Sequence, residues 1–281
     1  MDIATSLSSI GYSAISLLLV LTGIPILYLF LLTWAALWPR RRLPEPPTTQ
    51  RIAILIPAHN ESLLIADTVA SARGQHYPVA DYAVWVIADN CTDDTAQRAR
   101  DAGAQVLERS GNPGKGQALH AMLAQLLAED WAAFLIVDAD SHLHPDALAE
   151  LNRVMQAGAA VVQMRYGVLN PDDSLRTQAM ELSTASFNAL RPRGRNVLGL
   201  SGGICGNGFC LSRAVVQQVP YLAHSIVEDI EYHMHLLRAG YWVTFLDTVW
   251  VKAQMPIGGR GAAVQRARWE RGRILTIRHY A

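Results

Sequence analysis

Apolar residues are concentrated in one long run near the start of the chain and in several short runs after it. Residues 11–38 contain no charged side chain and are rich in Leu, Ile and aromatic residues. As a helix this run would be roughly 40 Å long, which exceeds the ~30 Å hydrocarbon core of a bilayer. The run predicts a transmembrane helix over about residues 11–38, and a buried core helix is the alternative.

The charges around this run predict its orientation. Arg40, Arg41 and Arg42 follow it directly, and Asp2 is the only charge before it. Arginines mark the cytoplasmic side of a span, whereas a cleaved signal peptide has a basic start and a shorter apolar stretch. We therefore expect a membrane anchor with a short linker in residues 1–44 and a cytoplasmic domain in residues 45–281. This predicts a single-pass protein of the inner or cell membrane.

Beyond the linker, apolar runs alternate with amphipathic stretches. Short apolar runs bounded by polar residues are typical of strands buried in a parallel sheet, and they predict strands over residues 52–56, 83–88, 105–108 and 134–137. The stretches between them predict helices over residues 63–72, 92–102 and 117–127. This alternation predicts an α/β fold, with a mostly parallel sheet flanked by helices and right-handed crossovers.

Composition and charge narrow the function. The chain has 24 basic and 24 acidic residues, so no global field attracts nucleic acid. Cys91, Cys205 and Cys210 are scattered without metal-ligand spacing, so we interpret them as reduced thiols. Neither a nucleic-acid partner nor a disulfide framework is expected.

Polar residues follow the ends of the predicted buried strands. His59, Asn60 and Glu61 come after the first strand, Asp89 closes the second, and Asp138-Ala139-Asp140 follow the last. Ligands of such sheets bind at the carboxyl ends of the strands, so these groups are expected to converge on one edge. The convergence favours a nucleotide site.

The Asp138-Ala139-Asp140 tripeptide is a candidate cation site. Alternate residues of an extended segment point the same way, so both carboxylates can approach one cation. Mg²⁺ or Mn²⁺ held there would neutralise charge on a departing diphosphate. His142 is a candidate further ligand. The alternatives are a solvated acidic loop and an ordinary surface histidine.

Asp89 and Lys115 are candidate contacts for the rest of a nucleotide. Asp89 can accept a hydrogen bond from a base or a ribose hydroxyl, although a helix-capping or turn acid is the alternative. Lys115 lies in Gly114-Lys115-Gly116 and suggests a phosphate contact. The glycine spacing of a P-loop is missing, so a surface lysine in a turn remains equally plausible.

Two later motifs are candidates for the acceptor side. Five glycines in ten residues, from Gly199 to Gly208, let a backbone approach a ligand closely, so Gly206 and Asn207 are expected to border an acceptor channel. A tight turn region is the alternative. Asp229 is the candidate general base for an acceptor hydroxyl, with Glu228 beside it. Both also suit the first turn of a helix, where acids complement the helix dipole.

The pentapeptide Gln265-Arg266-Ala267-Arg268-Trp269 completes the set. Arg268 can clamp a departing diphosphate in bidentate fashion, and the indole of Trp269 offers a stacking surface for an acceptor sugar, with Gln265 nearby. A basic helix lying on a membrane is the alternative. Together with the acidic motifs, these are the parts needed to move a sugar from a nucleotide diphosphate to a hydroxyl.

In their order and spacing, these motifs resemble those of the family 2 inverting glycosyltransferases, which have a GT-A (Rossmann-like) fold. The likeness extends over residues 52–269. The Gln-X-X-Arg-Trp element resembles that of the membrane-embedded branch, which includes cellulose, chitin, hyaluronan and poly-N-acetylglucosamine synthases, and ceramide glucosyltransferases are similar. The resemblance implies nucleotide-sugar contacts at Pro57, His59, Glu61 and Asp89, a metal and donor motif at Asp138 and Asp140, a catalytic base at Asp229, and diphosphate and acceptor contacts at Arg268 and Trp269.

The chain departs from that branch in two places. Residues 204–208 read Ile-Cys-Gly-Asn-Gly, where processive synthases have a Phe-Cys-Gly-Ser/Thr type of sequence. This difference weakens the expectation that the chain is a processive synthase. Members also continue past the Arg-Trp element into further membrane helices, whereas this sequence stops at Ala281. It is therefore expected to be a fragment or to work with further membrane subunits.

The expected function is metal-dependent, inverting transfer from a UDP-sugar to a hydroxyl of a growing polysaccharide or of a lipid. Transfer of a single sugar to a lipid is the alternative. A nucleotidyltransferase and a catalytically inactive subunit are the rival interpretations.

Overall fold

A mixed sheet of eight strands carries helices on both faces in the computed structural model, which describes residues 3–39 and 43–258. The strands in chain order are β1 Ile52–Ala58, β2 Tyr82–Asp89, β3 Gln105–Arg109, β4 Ala133–Ile136, β5 Ser141–Leu143, β6 Val161–Val168, β7 Phe209–Ser212 and β8 Val243–Ala253. Their order across the sheet is β3-β2-β1-β4-β7-β6-β8-β5. The predicted α/β class is confirmed.

The helices connect these strands and cover the sheet. They are α1 Ile3–Ala36, α2 Ile65–Arg73, α3 Thr95–Asp101, α4 Lys115–Leu126, α5 Ala147–Gln156, α6 Leu175–Ala185, α7 Arg191–Val197, α8 Arg213–Gln218 and α9 Glu228–Arg238. A π-helical segment, Ser186–Leu190, joins α6 directly to α7. Short 3₁₀ turns occur at Val79–Asp81 and Pro171–Asp173.

The first four strands in the sheet order form its parallel half. Strand β1 pairs in parallel with β2 and β4, and β2 pairs in parallel with β3. Strand β1 is apolar throughout because both of its faces are covered: Ile54 and Ile56 pack with α2 and α5, whereas Ala53 and Leu55 pack with α4. The polar residues that end these strands consequently meet at one edge of the sheet.

The second half of the sheet is mixed. Strand β7 runs antiparallel to both β4 and β6, β6 pairs in parallel with β8, and β5 is antiparallel to β8. Because β7 enters the sheet beside β4 from the opposite direction, the glycine-rich loop before it passes the carboxyl end of β4. The Gly208 amide donates to the Ile136 carbonyl at 2.9 Å. This topology brings the loop alongside the Asp138–Asp140 segment.

Helix α1 contains one segment, Ile15–Ala36, that is long and apolar enough to cross a membrane, and only 6% of its most apolar window is buried. Near its end, Leu32 packs on Gly194 of α7, where an added Cβ would lie 2.2 Å from the Leu32 carbonyl oxygen. Arg193 of α7 also donates to the carbonyl of Trp38 at 2.8 Å. Helix α7 therefore joins the apolar helix to the domain. Residues 40–42, whose charges predicted the orientation, lie outside the described residues.

Gly116, in the first turn of α4, lies against the backbone of Ala223. An added Cβ would sit 1.9 Å from the Ala223 carbonyl oxygen, so Gly116→Ala forces one of the two segments to move. Overpacking of this kind costs about 1–3 kcal/mol, and we expect a melting temperature lower by roughly 2–10 °C. Thermal unfolding followed by circular dichroism measures the change.

Gly74→Ala is the matched control, because an added Cβ there meets only the Ala70 and Ser71 carbonyl oxygens, at 3.5 and 3.6 Å. Equal melting temperatures for the two variants would contradict the packing argument.

Candidate active site

A cavity of about 410 Å³ opens where β1 and β2 end and α4 begins. It is lined by Pro57, Ala58, His59, Asp89, Pro113, Gly114, Lys115 and Ala118. Four residues predicted separately as nucleotide-sugar contacts thus share one cavity: Pro57, His59, Asp89 and Lys115. The parallel pairing of β1 with β2, rather than closeness in the chain, brings the first three of these residues together.

Asp89 orders one wall of this cavity. Asp89 is only 4% exposed, and one carboxylate oxygen is ion-paired with Arg109. The other oxygen accepts from the Gly114 amide at 2.9 Å, and the Asp89 backbone oxygen lies 2.7 Å from Nδ1 of His59. Asp89 therefore holds the turn before α4 in place. Its contact with a base or ribose stays a prediction.

Arg109 was missed by sequence reasoning. It ends β3 directly opposite Asp89 in the parallel register, and its guanidinium also donates to the Asn112 carbonyl at 2.8 Å. The pairing of β2 with β3 is what places the two side chains together. An arginine at the end of the neighbouring predicted strand was the available signal.

Lys115 lies at the centre of a cluster of carboxylates. Its ammonium donates to Asp138 and to the carbonyl of Gly206, and it is 3.8 Å from a carboxylate oxygen of Glu228. Desolvation works to lower the pKa of Lys115, but the charges of Asp138 and Glu228 outweigh it and raise the pKa. Lys115 is thus a charged bridge between the end of β4 and the start of α9, rather than a surface lysine.

Like charges crowd around Asp140. Burial first, and then the charge of Asp138, raise the pKa of Asp140 to about 6. Burial followed by the charges of Asp140 and Asp138 raises the pKa of Glu61 as well. Neighbouring carboxylates resist ionisation unless a cation compensates them. The predicted residues Glu61, Asp138 and Asp140 therefore form one acidic surface.

Asp138 and Asp140 fit a divalent cation that is completed by a substrate. Mg²⁺ is usually bound by one or two carboxylates together with substrate phosphates and water. Over residues 3–39 and 43–258, no group of three or more His, Cys, Asp or Glu side chains is arranged to hold a metal ion. His142 thus does not complete a site, and it lies on β5 opposite Lys252. The role of His142 as a ligand stays a prediction without geometric support.

Asn207 ties the glycine-rich loop to the acidic segment. It is 1% exposed, and its side-chain oxygen accepts from the Asp138 amide at 3.1 Å. Its side-chain nitrogen donates to Ser141 at 2.8 Å, and the Ser141 hydroxyl donates to Asp140 at 3.0 Å. The Asn207 side chain is therefore buried and used internally, and its predicted place at the acceptor channel stays a prediction. It orients both aspartates.

Strand β6 also supports the glycine-rich loop, through hydrogen bonds from Gln163. Gln163 is fully buried; it accepts from the Cys205 amide at 2.8 Å and donates to the Asn207 carbonyl at 2.8 Å. Burial, followed by the charges of Asp138 and Asp140, raises the pKa of Tyr166. Neither residue stood out in the sequence, because a polar residue in a strand reveals its partner only once the fold is known.

Glu228 and Asp229 begin α9 and face the loop. Gly206 has φ +75°, and an added Cβ there would lie 3.1 Å from a carboxylate oxygen of Asp229. Burial raises the pKa of Asp229, against the opposing effects of the Ile230 amide and Lys115. A carboxylate with a raised pKa is a better proton acceptor near neutral pH. The arrangement suits a general base, and both residues are also first-turn acids of the helix.

Gln265, Arg268 and Trp269 lie outside the described residues. Their predicted contacts with a diphosphate and an acceptor stay predictions.

Glu228→Gln is expected to stabilise the protein at alkaline pH. Burial raises the pKa of Glu228 to about 6 from 4.5, so ionised Glu228 disfavours the folded state above pH 6. The neutral amide removes this penalty, on the order of 1–2 kcal/mol, at pH 8. Below pH 4.5 the carboxyl is protonated in both the folded and the unfolded state, and the benefit disappears. Denaturant unfolding at pH 8 and pH 4 tests this, and a variant that is equally or less stable at pH 8 would contradict it.

Comparison with known sequences shows which protein family contains these site residues. A family profile described as glycosyltransferase like family 2 matches residues 47–272. Probable glycosyltransferase YdaM of Bacillus subtilis (strain 168) is 25% identical over 251 residues, which are 85% of this chain and 58% of that protein. A beta-monoglucosyldiacylglycerol synthase of Nostoc sp. is 29% identical over 196 residues, or 66% of this chain and 41% of that protein. The chain thus spans about half the length of these relatives.

Solved structures share the fold. Mannosyltransferase PcManGT from Pyrobaculum calidifontis, in complex with GDP-Man and Mn²⁺, has a TM-score of 0.70 at 20% identity, covering 92% of this chain and 72% of that one. Glucosyl-3-phosphoglycerate synthase from Mycobacterium tuberculosis, in complex with Mn²⁺, UDP and phosphoglyceric acid, has a TM-score of 0.54 at 21% identity, covering 78% of each chain. At such identities the likeness establishes the fold, which is of the GT-A type.

The profile match covers most of the chain, and its residues 47–272 include every acidic motif at the sheet edge. The predicted family and fold are thereby confirmed, whereas the membrane-embedded branch stays a prediction. The chain belongs to the glycosyltransferase like family 2 and has a GT-A-like fold.

Proposed function

We propose that this enzyme transfers a single sugar from a UDP-sugar to the hydroxyl of a membrane lipid, with inversion, at the cytoplasmic face. One observation carries the proposal: Lys115 contacts both Asp138 and Glu228. The acidic donor segment and the start of α9 are thus a single side chain apart. A sugar held between them would have its leaving group on one side and Asp229 on the other.

The donor side is the cavity and the acidic segment next to it. The base and ribose would occupy the space lined by Pro57, His59 and Asp89. Mg²⁺ or Mn²⁺ held by Asp138 and Asp140 would supply positive charge to the departing diphosphate. Lys115 is positioned to exchange its bond with Asp138 for one with a phosphate oxygen.

The acceptor side is the first turn of α9. Asp229 would take the proton of the acceptor hydroxyl while that oxygen attacks the anomeric carbon, and the bond from that carbon to the diphosphate would break. A single displacement inverts the anomeric configuration. Arg268 and Trp269 would complete the site as a diphosphate clamp and a stacking surface for the acceptor, with Gln265 beside them.

Three observations favour a lipid acceptor over a growing polysaccharide. Helix α1 carries an exposed apolar segment long enough to span a bilayer, and a relative from Nostoc is named for glucosyl transfer to diacylglycerol. In addition, residues 204–208 depart from the sequence of processive synthases. We therefore favour an enzyme of the cell membrane that releases its product after one transfer.

Membranes containing the enzyme, incubated with a panel of radiolabelled UDP-sugars, test this function. We expect release of UDP and transfer of label into an organic-soluble lipid that carries one sugar. Released pyrophosphate would indicate a nucleotidyltransferase, and a long labelled polymer would indicate polysaccharide synthesis. A protein that neither binds UDP in calorimetry nor releases it would be an inactive subunit.

A further inference from the structure

Helix α6, the π-helical segment and helix α7 form one continuous helical run, which has an unusual outer face. The strongly exposed apolar side chains on it include Leu175 at 84%, Leu182 at 73% and Phe187 at 54%. None of its exposed residues up to Phe187 is charged; they are Leu175, Gln178, Ala179, Leu182, Ser183, Ser186 and Phe187. A helix that faces water normally carries charged residues, so this face is suited to a non-aqueous neighbour.

The contact with α1 determines where this run sits relative to the apolar segment. Gly194 of α7 packs on the backbone of Leu32, which precedes the end of the Ile15–Ala36 segment by roughly 6 Å along the helix axis. Helix α7 therefore meets α1 within the last turn of the segment. If that segment crosses a bilayer, α7 lies at the boundary between headgroups and acyl chains. Leu198 and Leu200, just after α7, are 51% and 41% exposed.

Arginines accompany the apolar groups at this level. The Arg191 guanidinium lies over the ring of Phe187, 3.7 Å from its centroid. Arg193 is held between the Trp38 carbonyl and Asp247. Aromatic rings and arginines concentrate where acyl chains meet headgroups, because each has an apolar body and a polar or charged part. The occupant that matches this composition is a bilayer.

The inner side of the same run reaches the active site. Glu181 of α6 accepts from the Val168 amide at 2.8 Å, which fastens the run to β6. The side-chain oxygen of Asn188, in the π-helical segment, lies 3.7 Å from the Cys205 thiol. Cys205 directly precedes Gly206, where an added Cβ would lie 3.1 Å from a carboxylate oxygen of Asp229. Asn188 thus touches the glycine-rich loop that lies next to the proposed base, and π-helical turns are frequent at functional sites.

We propose that residues 175–197 are a membrane-seated wall of the acceptor site: their uncharged face lies in the bilayer interface, and Asn188 binds the polar headgroup of the acceptor beside Asp229. The inference rests on the proposed function and adds the route by which the acceptor reaches the active site. A lipid would approach along this wall without leaving the membrane. The bilayer is preferred to a protein partner because α1, which carries the exposed apolar segment, packs against α7 and the π-helical segment of this same run.

A fluorophore whose emission depends on its surroundings tests the membrane contact. The full chain, with Cys91→Ser, is labelled either at Ser183→Cys or at Gln97→Cys and reconstituted into phosphatidylcholine vesicles containing phosphatidylglycerol. Gln97 is the matched control, because it is exposed on α3 at the far end of the sheet. Burial raises the pKa of Cys205 and of Cys210 to about 12, so both thiols react slowly.

We expect blue-shifted emission and quenching by brominated lipid at position 183 only. Equal quenching of both labels by aqueous iodide would overturn the membrane contact. Protection from iodide without quenching by brominated lipid would indicate a protein partner and would also overturn it.

Substitution of Asn188 tests whether this residue binds the headgroup of the acceptor. Asn188→Ala should raise KM for a lipid acceptor by about tenfold, the effect of one lost hydrogen bond, while KM for the UDP-sugar changes less than about twofold. Ser186→Ala, on the exposed face, is the control. An unchanged acceptor KM would overturn the role of Asn188.

If the unmodified enzyme transfers sugar to no lipid while the label at 183 still lies in the bilayer, the proposed function fails and the membrane contact stands.

Discussion

Asp229→Asn is expected to lower kcat by roughly 10²–10⁴-fold, the range for loss of a general base, while UDP affinity changes little. The amide keeps the shape of the side chain but cannot accept the proton of the acceptor hydroxyl. Because α9, which begins with Glu228 and Asp229, lies across Lys115 from the donor segment, the nucleotide cavity should be unaffected. Initial rates of UDP release with saturating acceptor, together with UDP titration by calorimetry, measure the two effects separately.

Glu231→Gln is the matched control for this substitution. Glu231 lies in the same first turn of α9 and accepts from the Ser225 amide at 2.9 Å, a bond that glutamine can also accept. We expect turnover close to that of the unmodified enzyme. Full turnover of Asp229→Asn would remove Asp229 from the mechanism, and loss of activity in Glu231→Gln would show that the helix itself is the sensitive element.

Asp140→Asn is expected to lower kcat/KM for the UDP-sugar by about two orders of magnitude or more, since cation stabilisation of a leaving group contributes several kcal/mol. Excess EDTA should stop the unmodified enzyme, and Mg²⁺ or Mn²⁺ should restore it. In the variant, half-maximal activity should require much more metal. Rates measured across a metal titration test both statements.

Ser141→Ala provides a graded comparison for Asp140. The Ser141 hydroxyl donates to Asp140 at 3.0 Å, so its loss leaves the carboxylate in place but less well oriented. We expect an intermediate rise in the metal requirement, about 10-fold, which is typical of groups that orient a ligand. Undiminished activity in excess EDTA would end the metal assignment altogether.

The first half of the fold was predictable because each of its signals is local. Strands β1, β2 and β4 are buried on both faces, so each appears as an unbroken apolar run, and the first two of the observed strands end at Ala58 and Asp89, near their predicted ends. The second half carries weaker signals. Strand β5 has three residues and β7 has four. The insertion of β7 between β4 and β6 depends on contacts between distant parts of the chain.

The candidate site also contains residues that local sequence signals predict and residues that only the fold reveals. Asp89, Asp138 and Asp140 were predictable because acids that follow strand ends of a parallel sheet meet at its edge. The internal bonds of Asn207 were not predictable, because a glycine-rich loop indicates exposure, whereas this side chain is buried. Arg109 and Gln163 matter through partners that the sequence does not reveal. The motifs thus carry the candidate chemistry, and residues outside them, such as Arg109 and Gln163, supply supporting hydrogen bonds.

The tight fit of Gly194 on Leu32 also bears on how substrates are chosen. With no side chain between the two backbones, and with Arg193 bonded to Trp38 just beyond, α7 is held directly against the end of α1. In the proposed function, Asp229 would thus be kept at a fixed height above the acyl chains. An acceptor would then have to present its hydroxyl at that height, and a hydroxyl projecting too far or too little would miss Asp229 even where the chemical group is the same.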